Sequence, residues 1–252
     1  MRWLALALLA LAAPLRAEEV VLGLSREQVS ITTDFEGSEI LIFGAVKREA
    51  PIRADPPLEV VITVAGPSRP VTVRRKERVA GIWVNTEAVE IDRAPSFYAV
   101  ATSGPLDEVL DDTEDLRHGI SIPRAIRSVG APPEVANAAA FTDALIRIRE
   151  RAGLYVAAEG AVEVTEQTLF STAIDMPANL TEGDYDTRIF LTREGQVVAE
   201  FATEIGVRKV GLERFLFTLS RERPLVYGLL SLAIAIAAGW GASAAFRALR
   251  PG

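Results

Sequence analysis

Twenty-two consecutive residues, Leu225 to Phe246, carry no charge. At about 1.5 Å per residue a helix of that length reaches roughly 33 Å, enough to cross a hydrocarbon core of about 30 Å with slight tilt. The segment therefore predicts a transmembrane helix. Arg221, Glu222, Arg223 and Pro224 bound it on one side, and Arg247 and Arg250 on the other. Tyr227 and Trp240 lie toward its two ends, where interfacial aromatics collect. Within it Ser231, Ala235, Gly239 and Ser243 recur at four-residue steps, a small-residue stripe that lets a second helix approach closely. These four residues are the candidate helix-packing face.

The start of the chain has a different apolar run. Arg2 precedes eleven apolar residues, Trp3 to Ala13, followed by Pro14, Leu15, Arg16, Ala17 and two acids. Eleven residues are too few to span a bilayer, and the layout is that of a secretory leader cut after Ala17. A cleaved leader and a late stop-transfer helix together place the bulk of the chain in the bacterial periplasm. The expected topology is single-pass in the inner membrane, with the C-terminus cytoplasmic.

Composition narrows the chemistry. The chain carries 27 basic and 34 acidic residues. Four of the bases, Arg2, Arg16, Arg247 and Arg250, lie outside the expected exported part, which is left with 23 bases against the same 34 acids. A surface of that sign repels phosphate backbones, so no nucleic-acid partner is expected. There is no cysteine and a single histidine, His118. Thiol nucleophiles, thiolate zinc sites and multi-histidine metal sites are thereby excluded, and the fold must be held by its own core. No Gly-x-Ser-x-Gly elbow is present. No catalytic residue, metal site or cofactor is expected.

Between the two ends the pattern is mostly β. Alternating, β-branched runs recur at Val20–Leu24, Gln28–Thr33, Glu39–Val46, Leu58–Ala65, Val71–Arg75, Gly81–Asn85, Val89–Asp92 and Ser96–Thr102. Strand signals stop after Gly104-Pro105 and acids accumulate. Pro132-Pro133 then opens a predicted amphipathic helix ending before Gly153, with Val135, Ala138, Phe141, Leu145, Ile148 and Ala152 on one face. Alternation returns from Ala161 to Gly206. There Leu180 to Tyr185 is similar to the turn and tyrosine that enter a late strand of immunoglobulin-like sandwiches.

The fold class that follows is mainly β: immunoglobulin-like antiparallel sandwich regions with one intervening helix and a single C-terminal membrane helix. The expected divisions are a leader (1–17), an N-terminal β-sandwich region (18–104), an acidic loop and amphipathic helix (105–160), and a second β region (161–211). A juxtamembrane segment (212–224), the membrane helix (225–246) and a cytoplasmic stub (247–252) follow. In the juxtamembrane segment Leu212, Phe215, Leu216 and Leu219 share a helical face, read as an outward continuation of the membrane helix.

Three clusters invite a functional reading. Asp107, Glu108, Asp111, Asp112, Glu114 and Asp115 place six carboxylates in nine residues, but the EF-hand order is missing, so a solvated acidic loop is expected. Arg74, Arg75, Lys76 and Arg78 lie on a predicted strand, where alternation puts Arg74, Lys76 and Arg78 on one face. With Trp83 these three form a candidate interaction patch, although a charged edge strand explains the cations as well and Trp83 is most simply a core residue. The lone His118 reads as structural.

The run Arg74-Arg-Lys-Glu-Arg-Val-Ala-Gly-Ile-Trp-Val-Asn85, with Phe97 to Ala101 and Gly104-Pro-Leu106 after it, resembles a family of transmembrane proteins from alphaproteobacteria. So do Leu22-Gly-Leu-Ser25, Phe43 to Arg48 and Gly211 to Leu216. The resemblance covers essentially the whole mature chain and brings no assigned activity or site residues. It implies a sulfite-exporter-like permease as the partner to rank first. The leading functional expectation is a non-enzymatic, membrane-anchored periplasmic accessory protein supporting an inner-membrane transporter of small anions. The alternative is a periplasmic ligand or cation receptor.

Overall fold

A computed structural model describes residues 19–25, 28–31, 37–47, 55–128, 137–209, 216 and 219–249. The expected leader, the Pro132-Pro133 helix start and most of the juxtamembrane segment lie outside them. The chain divides into two compact units, Met1–Val29 with Glu36–Val207, and Ser30–Phe35 with Arg208–Gly252.

Seven strands precede the helical segment: β1 (Glu19–Leu24), β2 (Gln28–Ile31), β3 (Gly37–Lys47), β4 (Glu59–Ala65), β5 (Ser68–Val79), β6 (Ile82–Pro95) and β7 (Tyr98–Thr102). Helices α1 (Leu106–Val109), α2 (Asp112–His118), α3 (Ile122–Ala125) and α4 (Ala139–Arg151) follow. Then come β8 (Tyr155–Ala158), β9 (Glu163–Thr165), β10 (Leu169–Pro177), β11 (Gly183–Arg193) and β12 (Gln196–Lys209), and α5 (Pro224–Leu249) ends the series. The fold is mainly β, as the alternation predicts.

The strands form a four-stranded sheet in the order β1-β3-β10-β9, a six-stranded sheet in the order β2-β12-β11-β4-β7-β8, and a two-stranded hairpin, β5-β6. Both large sheets mix strands from before and after the helices. The boundaries drawn at 104 and 161 therefore divide the sequence and not the sheets. β3 pairs antiparallel with β1 and β10, β10 with β9, β11 with β12 and β4, β4 with β7, and β5 with β6, whereas β7 and β8, which close the crossover through the helices, pair in parallel.

Alternation sets the layers. Along β3 Ile40, Ile42 and Val46 are buried, and along β10 Phe170, Thr172, Ile174 and Met176, while Leu41, Phe43 and Leu169 face solvent. One side of the four-stranded sheet is thus core, and β10 packs against β7 of the larger sheet. Every residue of β4 from Val60 to Val64 is buried, so the middle of the six-stranded sheet is covered on both faces. The second cover comes from the helices: the Tyr98 hydroxyl of β7 donates to the carbonyl of Ile120 at 2.7 Å, just beyond α2.

Tyr185 makes the expected corner. It is fully buried, and its hydroxyl donates to the carbonyl of Thr181 at 2.8 Å. Gly66 opens the space for its ring, since a Cβ there would stand 2.9 Å from it.

Four expectations need correction. Gly81–Asn85 and Val89–Asp92 belong to one strand, β6, because Ala80 and Gly81, both at positive φ, form the two-residue turn and the strand continues past Asn85 through a register irregularity at Thr86. The strand expected from Ser96 starts at Tyr98. The acidic segment is not a loop but helices α1 and α2. On α4 Phe141 and Leu145 are buried as predicted, yet Ile148 is 58% exposed and Ala152 is exposed. The covered face of α4 turns from Phe141 toward Arg149, which donates to the carbonyl of Ser96, and leaves Ile148 at its margin.

In the second unit, α5 contains the apolar stretch Pro224–Ser243, twenty residues of mean hydropathy 1.8 and none of it buried. Arg223 N–H donates to Leu219 at 3.0 Å and Tyr227 N–H to Arg223 at 3.1 Å, so helical bonding runs from Leu219 into α5 past Pro224, which has no N–H to give.

Candidate functional site

The hairpin β5-β6 forms an arm with two unlike halves. Near its base Val89 and Ile91 are fully buried. The Arg75 guanidinium stands 5.0 Å from the centre of the Phe141 ring of α4 and pairs with Glu87 at 2.8 Å. Beyond that point cover ends. Every residue from Arg74 to Thr86 is exposed.

The register sets the faces of the tip. Val79 lies opposite Ile82 and Glu77 opposite Val84, while Arg78 lies opposite Trp83 and Lys76 opposite Asn85. Cross-strand partners share a face and successive residues alternate. One face therefore carries Val79, Ile82 and Val84, and the other Trp83 with Arg78 and Lys76. Val79 is 52% exposed, Ile82 66% and Trp83 69%. Trp83 is thus not a core residue: it sits past the contact of Phe141 with Arg75, where no element among the described residues lies over it. Among the described residues Arg74, Lys76 and Arg78 have no ion-pair partner, and Arg78 makes only a 3.3 Å bond to the carbonyl of Gly81.

A second feature lies on the helical side of the six-stranded sheet. A cleft of about 930 Å³ is lined by Arg93, Arg124, Arg127 and Arg188, with Asp186 and Glu204 among its other residues. Arg93 and Arg127 are antiparallel bridge partners, joined by backbone bonds of 3.1 and 2.9 Å. Asp186 and Glu204 are direct cross-strand partners as well. Like charges directly opposite repel, so each pair is held at a cost. No ion pair joins the two pairs among the described residues. Arg188 is anchored, donating to the carbonyls of His118 at 2.8 Å and Gly119 at 3.3 Å. Burial pushes the pKa of Tyr98, on the same wall, above its ordinary value.

The acidic cluster is largely spent on structure. Asp115 accepts from Ile120 N–H at 3.0 Å, from Ser121 N–H at 2.7 Å and from the Ser121 hydroxyl at 2.7 Å. It thereby locks the exit of α2, where Gly119 takes φ 60°. Glu114 is buried against Arg117 and His118, and Asp111 receives Gln196. Asp107, Glu108 and Asp112 stay exposed. His118 lies between two carboxylates, Nδ1 3.2 Å from Glu200 and Nε2 3.5 Å from Glu114, with its ring edge on Phe190. No group of three or more metal-ligating side chains occurs among the described residues.

On α5 the stripe residues Ser231, Ala235, Gly239 and Ser243 are all exposed, and a Cβ on Gly239 would meet nothing within 4 Å.

The model of a family described as "Putative transmembrane protein (Alph_Pro_TM)" matches residues 19–248. The chain belongs to this family. The match runs from the first described strand into α5 and takes in the arm, the cleft and the apolar span together. None of the curated proteins matches the sequence. Within this family member, the sequence pattern groups Arg74, Lys76, Arg78 and Trp83, of which the register sets Lys76, Arg78 and Trp83 on one face of the tip and Arg74 farther back, opposite Ala88. It misses the cleft, because Arg93, Arg127, Asp186 and Glu204 come from four separate parts of the chain and meet only through sheet pairing. Local alternation carries no signal for that meeting.

Proposed function

We propose that this protein is a non-catalytic accessory protein, anchored by α5 in the inner membrane with its β unit in the periplasm, and that the β5-β6 arm is its contact element. The observation that carries the reading is the outer half of the arm, where four apolar side chains stand exposed beside three cations that have no ion-pair partner among the described residues. Apolar groups left in water are a standing cost, and contiguous ones mark surfaces that meet something else. The eleven-residue apolar run at the start supports export, and Arg247 and Arg250, which follow the uncharged run, agree with a cytoplasmic end. The buried corner tyrosine, bonded four residues upstream, supports an immunoglobulin-like reading of the sandwich.

In this reading the stripe Ser231, Ala235, Gly239 and Ser243 meets a helix of the partner. A permease for small anions, of the sulfite-exporter-like kind, is the first partner to test. Photocrosslinkers placed at Gly239 and at Asn85 in intact cells, read by mass spectrometry, provide the test. A membrane protein captured from Gly239 is expected. Recovery of this chain alone from both positions overturns the proposal.

The cleft favours a second reading, a receptor for a small ligand. Its unneutralised Arg93–Arg127 and Asp186–Glu204 pairs suit a molecule with both an anionic and a cationic end. Calorimetry of the full chain in detergent against amino acids and small oxyanions decides this, and flat titrations remove it.

A further inference from the structure

The arm's occupant is open to identification from its own chemistry. We propose that the tip of β5-β6 docks on an anionic lipid surface, with Val79, Ile82, Trp83 and Val84 at the headgroup boundary and Arg74, Lys76 and Arg78 against the phosphates. The inference rests on the reading of the arm as the contact element and names what it contacts.

Three observations carry it. First, the apolar residues occupy both faces of the tip: Val79, Ile82 and Val84 on one, Trp83 on the other. An added strand pairs along one edge of a two-stranded ribbon and a shallow protein groove covers one face, so either leaves apolar side chains wet. A lipid interface surrounds the tip and covers both at once. Second, the charge is of the matching sign. From Arg74 to Thr86 there are four cations and one acid, Glu77, in a chain of net charge −7. Arg75 is occupied by Glu87, and the other three cations are left to face outward. Basic residues beside a bilayer are drawn to anionic headgroups. Third, the order along the arm suits the depth profile of an interface. The apolar residues flank the turn at Ala80-Gly81, and Lys76 lies four residues back, about 13 Å along the strand. Tryptophan next to cations is the composition of interfacial anchors. The family to which the chain belongs keeps the arm tethered to a membrane, so a modest intrinsic affinity suffices.

The chain provides its own reporter. It has three tryptophans, Trp3, Trp83 and Trp240, so a Trp3→Phe/Trp240→Phe variant leaves Trp83 as the single fluorophore. The full-length variant is reconstituted into phosphatidylcholine vesicles with and without phosphatidylglycerol. Brominated acyl chains serve as the quencher.

Docking predicts a blue-shifted Trp83 emission that bromolipid quenches in the anionic vesicles. Replacing Arg74, Lys76 and Arg78 by Gln together should lower the docked-to-undocked ratio about a hundredfold, at roughly fivefold per charge. Ile82→Ser should weaken quenching and leave the charge preference in place. Lys76, Arg78 and Ile82 lie beyond the Arg75–Phe141 contact and Arg74 lies beside it, so an unchanged unfolding midpoint checks that the variants fold.

Trp83 emission of a solvent-exposed indole, without bromolipid quenching in either vesicle, overturns the inference. A blue shift without quenching means that a protein surface, including a second copy of this chain, covers the tip, and it overturns the inference as well. In that second case the accessory reading stands. If instead quenching is seen but crosslinking from Gly239 captures no partner, the lipid contact stands and the accessory reading fails.

Discussion

The two halves of the β5-β6 arm are built from the same strands and the same kinds of residue, yet they have opposite fates. Val89 and Ile91, near the base, are fully buried, whereas Ile82 and Trp83, earlier on the same strand, are more than 60% exposed. Both halves are rich in β-branched residues, but Val89-Glu90-Ile91-Asp92 alternates with polar residues whereas Ile82-Trp83-Val84 is apolar on both faces. The neighbour differs too: α4 brings Phe141 against the base at Arg75, and among the described residues no element covers the tip. Burial is thus a property of what lies across from a strand as much as of its sequence. An apolar residue on a well-formed strand is a core residue only where a second layer reaches it.

The comparison can be broken most sharply at Ile91 and Ile82. Ile91→Ala should destabilise the β unit by about 2–5 kcal/mol, the range for deleting a buried aliphatic side chain. Ile82→Ala should change it by no more than about 0.5 kcal/mol, as exposed positions do. Urea unfolding of the full chain in detergent reads both, and equal losses would erase the distinction.

Alkaline titration sharpens the buried side. Burial raises the pKa of Tyr155 from 10.0 to about 12, and its hydroxyl donates to Pro95, at the base of the arm. The folded state therefore holds this proton more tightly than the unfolded chain does. The stabilisation is fully present below pH 10 and is lost as pH rises toward 12. Tyr155→Phe should make that alkaline loss shallower without abolishing it, since Tyr98 and Tyr185 are shifted upward as well. Trp83→Phe at the tip should leave the profile unchanged.

A smaller effect is expected at the corner. Tyr185→Phe removes one buried hydrogen bond, worth about 1 kcal/mol, and thermal unfolding should register it. The smallest lies where the halves meet. Arg75→Gln removes an exposed ion pair and a cation–π contact, together about 0.5–1.5 kcal/mol, and a double-mutant cycle with Phe141→Leu should show coupling between them. Additivity would mean that α4 does not hold the base of the arm.

Much of this was legible in the sequence for physical reasons. An uncharged run as long as Leu225–Phe246 has few solutions, and β-branched alternation located most strands because a half-buried sheet imposes a period of two. The corner was legible because a tyrosine after a glycine-bearing turn is a local device. Long-range pairing was not. The interleaving of early and late strands in both sheets, and the meeting of Arg93 with Arg127 opposite Asp186 with Glu204, depend on contacts that no local pattern encodes. The acids from Asp107 to Asp115 misled for the complementary reason: charge suggested solvent, while Glu114 and Asp115 found donors at close range. Trp83 misled because aromatics are usually covered, and the arm outruns its cover.

In the reading proposed above, the β unit leaves the arm's tip free for a contact outside the cytoplasm. The chain contains no cysteine, so single-cysteine variants report their own positions without background. Intact cells expressing Thr86→Cys or Ile91→Cys are treated with a maleimide that cannot cross the inner membrane, with labelling repeated after denaturation. Thr86→Cys should be labelled in intact cells and Ile91→Cys only once unfolded. A Thr86→Cys variant that stays silent until the inner membrane is opened would overturn the proposed placement of the arm.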